Sequence, residues 1–277
     1  NDSVRYIRKG YGLFFSILIT LFYFTAVPVF LRSVFPVWTE GIDDVKLALV
    51  STWCFHVGFN FTAYCLSYFL YTSKHPFLEN YRILDKPWPW EVDPVGWKKT
   101  LKTTGLFFLV NQCIITPSLV YIDLKMNGIF FSTSREHLPS TLTIILQCFF
   151  CMLIDDFLFY WGHRLLHHPK LYPHIHKIHH RWHHTVIISN EFSHPVEYVI
   201  ANLPAALGPK LLGKHMHMIT LWMWIVMRVG ESLDSHCGYE FSWSPYRLLP
   251  LSGSANYHDF HHSTNIGNYG SYFTFWD

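Results

Sequence analysis

The chain has 277 residues, of which 50% are apolar, 18% are aromatic and only 14% are charged. Soluble proteins average roughly 25% charged residues, so this balance favours a protein that lies in a lipid bilayer. The net charge of +2 is near neutral, which argues against a nucleic-acid partner.

Four uncharged apolar runs in the first part of the chain have about the length needed to cross a membrane. These runs are Tyr11–Leu31, Leu47–Thr72, Thr103–Ile122 and Leu138–Ile154. A helix needs roughly 20 apolar residues to cross the hydrocarbon core. Core helices of a soluble protein are the alternative, but four such runs in one half of a chain argue against it. We therefore predict about four transmembrane helices.

Basic residues predict which side of the membrane each end of the chain occupies. They flank the first run at Arg5, Arg8 and Lys9, and they are frequent in the connection Ser73–Lys102. The other two connections carry few basic residues. Because loops rich in lysine and arginine stay in the cytosol, we expect the N-terminus and everything after Ile154 to lie there.

The second half of the chain has a different composition, rich in histidine and aromatic residues. Its apolar stretches Val196–Gly213 and Met216–Met227 are short, which predicts a re-entrant or interfacial hairpin. We expect one domain over residues 1–277, with a transmembrane half (1–154) and a histidine-rich catalytic region (155–277). The predicted fold is an all-α integral membrane protein with a cytosolic helical cap.

Histidines are concentrated in three clusters with spacings of three and four residues. The clusters are His163 and His167; His176, His179 and His180; and His258, His261 and His262. Such spacings place side chains on one face of a helix, so each cluster should direct its imidazoles in one direction. Eight imidazoles can fill the inner coordination of two metal ions. His236, at the end of an apolar run, is predicted as a ninth ligand.

Other polar residues near these clusters are weaker candidates, either as metal ligands or as partners that orient the ligands. They are His168, His194, Asp156, Glu231, Asp234 and Asp259. Histidine ligands usually donate their second ring N–H to a carboxylate or a carbonyl oxygen, which fixes the tautomer. An isolated histidine is more often a hydrogen-bonded core residue, so the remaining histidines are not predicted ligands.

The choice of metal follows from the ligand type. Imidazole suits iron, zinc, copper and nickel. Zinc has no redox chemistry, and its structural sites need only four ligands. A bis-histidine haem site would place single histidines on facing membrane spans rather than in clusters outside them. Two iron ions near the membrane surface could instead activate O2 and attack a C–H bond of a lipid delivered from the bilayer.

The histidine clusters and their neighbours resemble a known family. The segment Asp155–Arg164, the His176 cluster and the final cluster closely resemble the fatty acid hydroxylase/sterol desaturase superfamily. The segments Asp234–Tyr239 and Asn265–Asp277 are similar to its methylsterol (C-4) monooxygenase branch. The resemblance covers roughly residues 140 to 277, and it is more specific for the superfamily than for the reaction.

The resemblance implies a non-haem di-iron enzyme of the endoplasmic reticulum membrane. Such an enzyme oxidises a lipid with O2 and takes electrons from NAD(P)H through cytochrome b5 or a reductase. The three histidine clusters and His236 would be its iron ligands. The segment Thr185–Pro195 departs from the pattern of the methylsterol branch, which leaves the particular sterol and carbon open.

Three functions remain open on the sequence alone. The first is oxidation of a C-4 methylsterol or a similar sterol. The second is desaturation or hydroxylation of another lipid, such as a sterol at C-5, a fatty acyl chain or a sphingoid base. The third is a non-catalytic subunit of a membrane complex that keeps the metal site.

Overall fold

Helices make up most of the part of the chain that the structure describes. The structure, a computed structural model, describes the backbone of residues 2–277 and the side chains of residues 10–277. Within them no β-strand forms, and the prediction of an all-α fold is confirmed. The side chains of Arg5, Arg8 and Lys9, used above to predict orientation, lie outside the described residues.

Eight longer helices carry the architecture. They are α1 (Asp2–Trp38), α2 (Asp44–Ser73), α5 (Pro94–Phe108), α6 (Thr116–Asn127), α7 (Thr141–Leu166), α8 (Pro195–Leu212), α9 (Met218–Ser235) and α10 (Ala255–Thr264). Two single turns, α3 (Pro76–Glu79) and α4 (Pro89–Val92), precede α5, and a π-helical segment, Leu109–Ile115, joins α5 to α6. Short 3-10 helices form at His176–Arg181, Ile187–Glu191, Gly213–His215, Pro245–Leu248 and Thr274–Trp276.

Among the described residues, three helices are long and apolar enough to cross a membrane. They are Gly10–Trp38 of α1, the continuous helix Pro94–Asn127 and the whole of α7. The remaining predicted run, Leu47–Thr72, forms most of α2, which is 30 residues long but is not among these three spans. Polar residues such as His56 and Asn60 interrupt its apolar sequence. Whether α2 crosses the bilayer stays a prediction.

The surfaces of the three spans are apolar where they face outward. Phe22 on α1, Leu109 on the second span and Leu146 on α7 are all exposed large hydrophobic side chains. An exposed apolar surface of this extent is typical of a protein that contacts lipid. The protein is therefore a membrane protein.

The predicted hairpin region forms two consecutive helices of 18 residues each, α8 and α9. Helix α8 lies against α7, where Gly208 meets Cys151. Helix α9 packs on α2, and Trp222 stacks on Phe55 with 4.7 Å between ring centroids. Neither α8 nor α9 is among the three apolar spans, and their predicted re-entrant or interfacial position stays a prediction.

Helix α7 leads from the membrane region directly into the histidine-rich region. Ser140 caps its N-terminus, and His163 lies in its last turn. Between them, the Asp156 carboxylate accepts hydrogen bonds from the Tyr272 backbone N–H and the Trp276 indole N–H, both at 2.8 Å. One helix therefore positions the first histidine relative to the membrane and also holds the C-terminal segment.

The close contact between α7 and α8 depends on Gly208. A Cβ atom at Gly208 would lie 2.8 Å from the Cα atom of Cys151, so the two backbones would have to move apart. We expect Gly208→Ala to lower the free energy of unfolding by about 1–3 kcal/mol, as overpacking usually does. Thermal unfolding in detergent micelles measures the change.

The control is Gly105→Ala, because a Cβ atom at Gly105 meets nothing within 4 Å. Alanine has a higher helix propensity than glycine, so this variant should be as stable as the wild type or slightly more stable. Equal destabilisation of both variants would contradict the close contact.

Candidate metal centre

Nine histidines from four separate parts of the chain meet at the end of α7. His163 and His167 come from the end of α7, and His236 caps the C-terminus of α9. The middle cluster lies on the 3-10 helix His176–Arg181, and the last cluster lies on α10. These are the nine residues that the sequence predicts as ligands, and the structure brings all of them together in two adjoining groups.

The first group contains five imidazoles. Its members are His163, His167, His176, His180 and His261. The Nε2 atom of His176 lies 3.1 Å from those of both His163 and His180. The Nε2 atoms of His167 and His261 lie 3.2 Å apart.

The second group contains four buried imidazoles. Its members are His179, His236, His258 and His262. The Nε2 atom of His258 lies 3.0 Å from that of His236 and 3.1 Å from that of His262. The Nε2 atoms of His179 and His236 are 3.5 Å apart. The rings of His180 and His262 lie 4.8 Å apart, so the two groups adjoin.

The expectation that each cluster directs all its imidazoles in one direction is wrong for two clusters. Histidines four residues apart stay in one group, as in the pairs His176/His180 and His258/His262. The histidines at spacing three, His179 and His261, join the other group. On the α-helix α10, positions three and four residues ahead lie on opposite sides of the starting residue, so His261 and His262 can face different neighbours. The two clusters therefore serve both groups.

Backbone carbonyl oxygens fix the tautomer of five of these rings. The Nδ1 atoms of His163, His179, His236, His261 and His262 lie 2.7–3.3 Å from the carbonyl oxygens of Tyr269, Phe192, Ser232, Gly267 and Trp182, respectively. A carbonyl oxygen only accepts, so each Nδ1 carries the proton. The unprotonated Nε2 atoms then point their lone pairs into the groups, which is the arrangement of a metal site.

The distances between Nε2 atoms test whether these groups fit metal ions. Two nitrogen ligands about 2.1 Å from one ion lie about 3.0 Å apart at a right angle and about 3.4 Å apart in a tetrahedron. Five of the six Nε2–Nε2 separations are 3.0–3.2 Å and the sixth is 3.5 Å. Two imidazoles whose Nε2 atoms both carry lone pairs, such as His179 and His236, repel each other at such distances unless a cation lies between them. The donor set therefore fits bound metal ions.

The imidazoles outside the membrane spans are held neutral by their surroundings. Burial lowers the pKa of His179 to about 4. Burial, together with the neighbouring His261, lowers the pKa of His167 to about 3. Burial also lowers the pKa of His258 well below its ordinary value. Neutral imidazole is the form that binds a metal ion, so the site is prepared for one near pH 7.

A carboxyl group that the sequence does not single out supports the first group. The Nδ1 atom of His176 lies 2.9 Å from Oε1 of the buried Glu197, near the start of α8. Burial raises the pKa of Glu197 well above its ordinary value, so its ionisation depends on nearby positive charge. An acidic residue in the first turn of an apolar helix is the signal in the sequence that could have identified it.

The residues predicted as weaker candidates bond to other groups. His168 and His194 accept hydrogen bonds from the backbone amides of Lys170 and Val196. Asp156 holds the C-terminal segment, because on α7 it faces that segment rather than the histidines. Glu231, Asp234 and Asp259 bond to Arg228, Arg247 and Thr185, respectively.

A tight turn in the segment after α10 supplies two of the carbonyl oxygens described above. Asn265, Gly267 and Asn268 all have positive φ angles, between 56° and 66°. Asparagine and glycine adopt this conformation more readily than other residues. The turn directs the carbonyl oxygens of Gly267 and Tyr269 at His261 and His163. The Asn- and Gly-rich segment therefore has a structural role at the site.

Comparisons with known proteins agree with this site. The sequence model of the fatty acid hydroxylase family matches residues 148–277. Methylsterol monooxygenase 2-2 of Arabidopsis thaliana is 34% identical over 253 residues, which are 90% of this chain and 90% of that protein. Methylsterol monooxygenase 2-1 of the same plant is 34% identical over 250 residues, 85% of this chain and 88% of that protein.

A second kind of relative matches a shorter part of the chain. A very-long-chain aldehyde decarbonylase of Oryza sativa is 39% identical over 174 residues, which are 61% of this chain and 64% of that protein. No solved structure matches the chain significantly.

The helical membrane fold and the two imidazole groups define a membrane-bound enzyme of lipid oxidation-reduction chemistry. The chain belongs to the fatty acid hydroxylase family. The resemblance seen in the sequence is thereby confirmed, and the protein is an oxidoreductase.

Single histidine replacements test the metal site. His179→Ala and His261→Ala each remove one imidazole from a different group. Each variant should therefore bind less metal than the wild type, and the loss should not exceed about one ion per chain. Metal analysis of the purified variants measures this. His168→Ala is the matched control, because His168 is exposed and lies outside both groups. Full metal content in both site variants would contradict the assignment.

Glu197→Gln tests the carboxyl group behind His176. Loss of a partner that orients a ligand typically lowers metal affinity about 10- to 100-fold, so we expect a decrease of that size. Competition with a chelator for iron(II) measures it. Glu40→Gln, in the exposed loop after α1, is the control and should bind metal as the wild type does. An iron(II) affinity of Glu197→Gln equal to that of the wild type would contradict a role of this carboxyl group at the site.

Proposed function

We propose that the two histidine groups hold two iron ions and that the protein oxidises a C-4 methylsterol or a similar sterol with O2. The observation that carries this proposal is the pair of adjoining imidazole groups at the end of a membrane span. Similarity to methylsterol monooxygenases over about nine-tenths of the chain supports the substrate class.

Iron fits the task better than zinc, which imidazole also binds. Zinc has no redox chemistry, whereas iron supplies the redox chemistry with O2 that the oxidation of a C–H bond needs. His163, His167, His176, His180 and His261 would hold one ion, and His179, His236, His258 and His262 would hold the other.

The chain's own residues prepare the site for this chemistry. Carbonyl oxygens such as those of Trp182 and Ser232 keep Nδ1 protonated and Nε2 free to bind. Glu197 does the same for His176 and adds negative charge when it ionises. Burial of the imidazoles excludes water, which strengthens each of these electrostatic interactions.

The electron supply and the location follow from the proposed family chemistry. We propose that electrons come from NAD(P)H through cytochrome b5 or a reductase. We also propose that the protein lies in the endoplasmic reticulum membrane with its histidine groups on the cytosolic side. The basic connection Ser73–Lys102 supports this orientation.

Oxidation of another lipid, such as a fatty acyl chain, is the second candidate. The observation that favours it is the 39% identity with the rice aldehyde decarbonylase, which exceeds the 34% identity with the methylsterol monooxygenases. The shorter extent of that match, 61% of this chain, makes it the weaker of the two.

Expression in a strain that lacks its own C-4 methylsterol oxidase tests the proposal. The wild type should clear the 4-methylsterols that such a strain accumulates, whereas His262→Ala should leave them, because it lacks a ligand of the second group. Sterol profiling by mass spectrometry measures both.

His215→Ala is the control, since His215 is exposed and lies outside both groups; it should act as the wild type does. Unchanged 4-methylsterols together with newly modified acyl chains would reject the sterol proposal and support the second candidate.

A further inference from the structure

A large apolar cavity lies between α1, α2 and α9, apart from the histidine groups. Its volume is about 690 Å³, within the usual range for a small-molecule site. Ile19 of α1 and Leu66 of α2 line the cavity and are themselves exposed on the outer surface. Because this surface is apolar and α1 is a membrane span, the cavity opens toward lipid.

The inner end of this cavity adjoins the space around the histidines. A smaller cavity of about 110 Å³ is lined by five of the nine histidines. Asp234, Tyr246 and Tyr272 line both cavities. These three residues therefore form a shared wall between the lipid-facing cavity and the histidine groups.

Buried charged groups lie behind this shared wall. The cavity is therefore apolar at its mouth and polar at its inner end. Arg247 pairs with Asp234 at 2.9 Å, and Arg228 pairs with Asp155 at 2.7 Å and with Glu231 at 2.9 Å. An acyl chain that entered tail first would bring its least polar atoms against these groups. A lipid that entered with its hydroxyl group first would bring that polar group to the polar inner end of the cavity.

The Tyr272 hydroxyl group is a polar atom in this wall with no hydrogen-bond partner among the described residues. The side chain is 2% exposed. The backbone N–H of Tyr272 donates a hydrogen bond to the Asp156 carboxylate, and the centroid of the Tyr272 ring lies 6.2 Å from that of Tyr246. A buried hydroxyl group without a partner is costly, which indicates that something else bonds to it.

We propose that the lipid-facing cavity binds a fused-ring lipid alcohol, hydroxyl end first, and that Tyr272 is a substrate-binding residue whose hydroxyl group hydrogen-bonds to the alcohol. This arrangement directs the carbons next to the alcohol at the histidine groups. It rests on the proposed sterol oxidation for its substrate class, and it adds the entry route, the orientation and the recognition residue.

Ligand binding to Tyr272→Phe tests the recognition residue without turnover. A 4-methylsterol and its 3-deoxy analogue are titrated into the metal-loaded protein in lipid nanodiscs. Tyr272→Phe should lose about tenfold in affinity for the alcohol, the effect of about one buried hydrogen bond. Affinity for the deoxy analogue should stay as in the wild type.

An equal loss of affinity for both ligands, or no loss for either, would overturn the role of Tyr272. If a buried water molecule were the partner of Tyr272 instead, Tyr272→Phe would show no loss of affinity specific to the alcohol. Tyr239→Phe is the matched control. Its hydroxyl group is hydrogen-bonded to Glu79, and Tyr239 lines neither of the two cavities. This variant should bind both lipids as the wild type does.

Ala63→Trp tests the cavity itself. Ala63 lines it on α2, so an indole there fills space that the rings of the ligand need. Both lipids should bind at least tenfold more weakly, while metal content stays unchanged. Undiminished binding, or a wild-type protein that binds neither lipid, would overturn the proposal.

These binding results separate the inference from the proposed function. Alcohol-specific binding without sterol oxidation would leave the cavity and Tyr272 in place and reject only the reaction. Sterol oxidation without the alcohol-specific effect of Tyr272→Phe would reject only the recognition.

Discussion

The Nε2 atoms of nine imidazoles face one another, most of them 3.0–3.2 Å from a neighbour, in an interior that excludes most water. Six of the nine rings have an acceptor oxygen behind them at Nδ1, and a bound cation would balance the lone pairs that their Nε2 atoms direct inward. These acceptors are mostly backbone carbonyl oxygens, which the end of the 3-10 helix Ile187–Glu191, the end of α9 and the turn after α10 put in position. The positions of these carbonyl oxygens depend on the packing of the helices around them.

This arrangement differs from the carboxylate-bridged di-iron sites of soluble helix bundles. Carboxylate ligands bring negative charge to the ions directly. Here the Glu197 carboxyl group instead contacts Nδ1 of His176, the ring nitrogen that faces away from the first group. Charge in the neighbourhood of the site is instead concentrated in the Arg228 and Arg247 ion pairs beside the histidine groups. The histidine groups thus present neutral donors suited to binding metal, and the charged side chains are paired with one another outside these groups.

Sequence spacing predicted which histidines converge, because spacings of three and four are local properties that survive folding. It did not predict how they divide into two groups, since that depends on which imidazoles from other parts of the chain each one meets after folding. Glu197 was missed because its partner His176 is distant on another element. Asp156 was expected near the histidines, but tertiary packing turns it toward Tyr272. The all-helical fold followed from the apolar runs, although α2 is not among the three helices that are long and apolar enough to cross a membrane.

The π-helical segment within the second span ties the membrane region to the site. Its residues Asn111 and Gln112 are fully buried and donate to the carbonyl oxygen of Ser193 and to Glu191. Phe192, between those two, supplies the carbonyl oxygen behind His179. A π turn holds one residue more than an α turn, so it lets consecutive amides face the same loop. Loss of a single residue from this segment would rotate one half of the span relative to the other, so Asn111 and Gln112 would no longer both face the loop that supports His179.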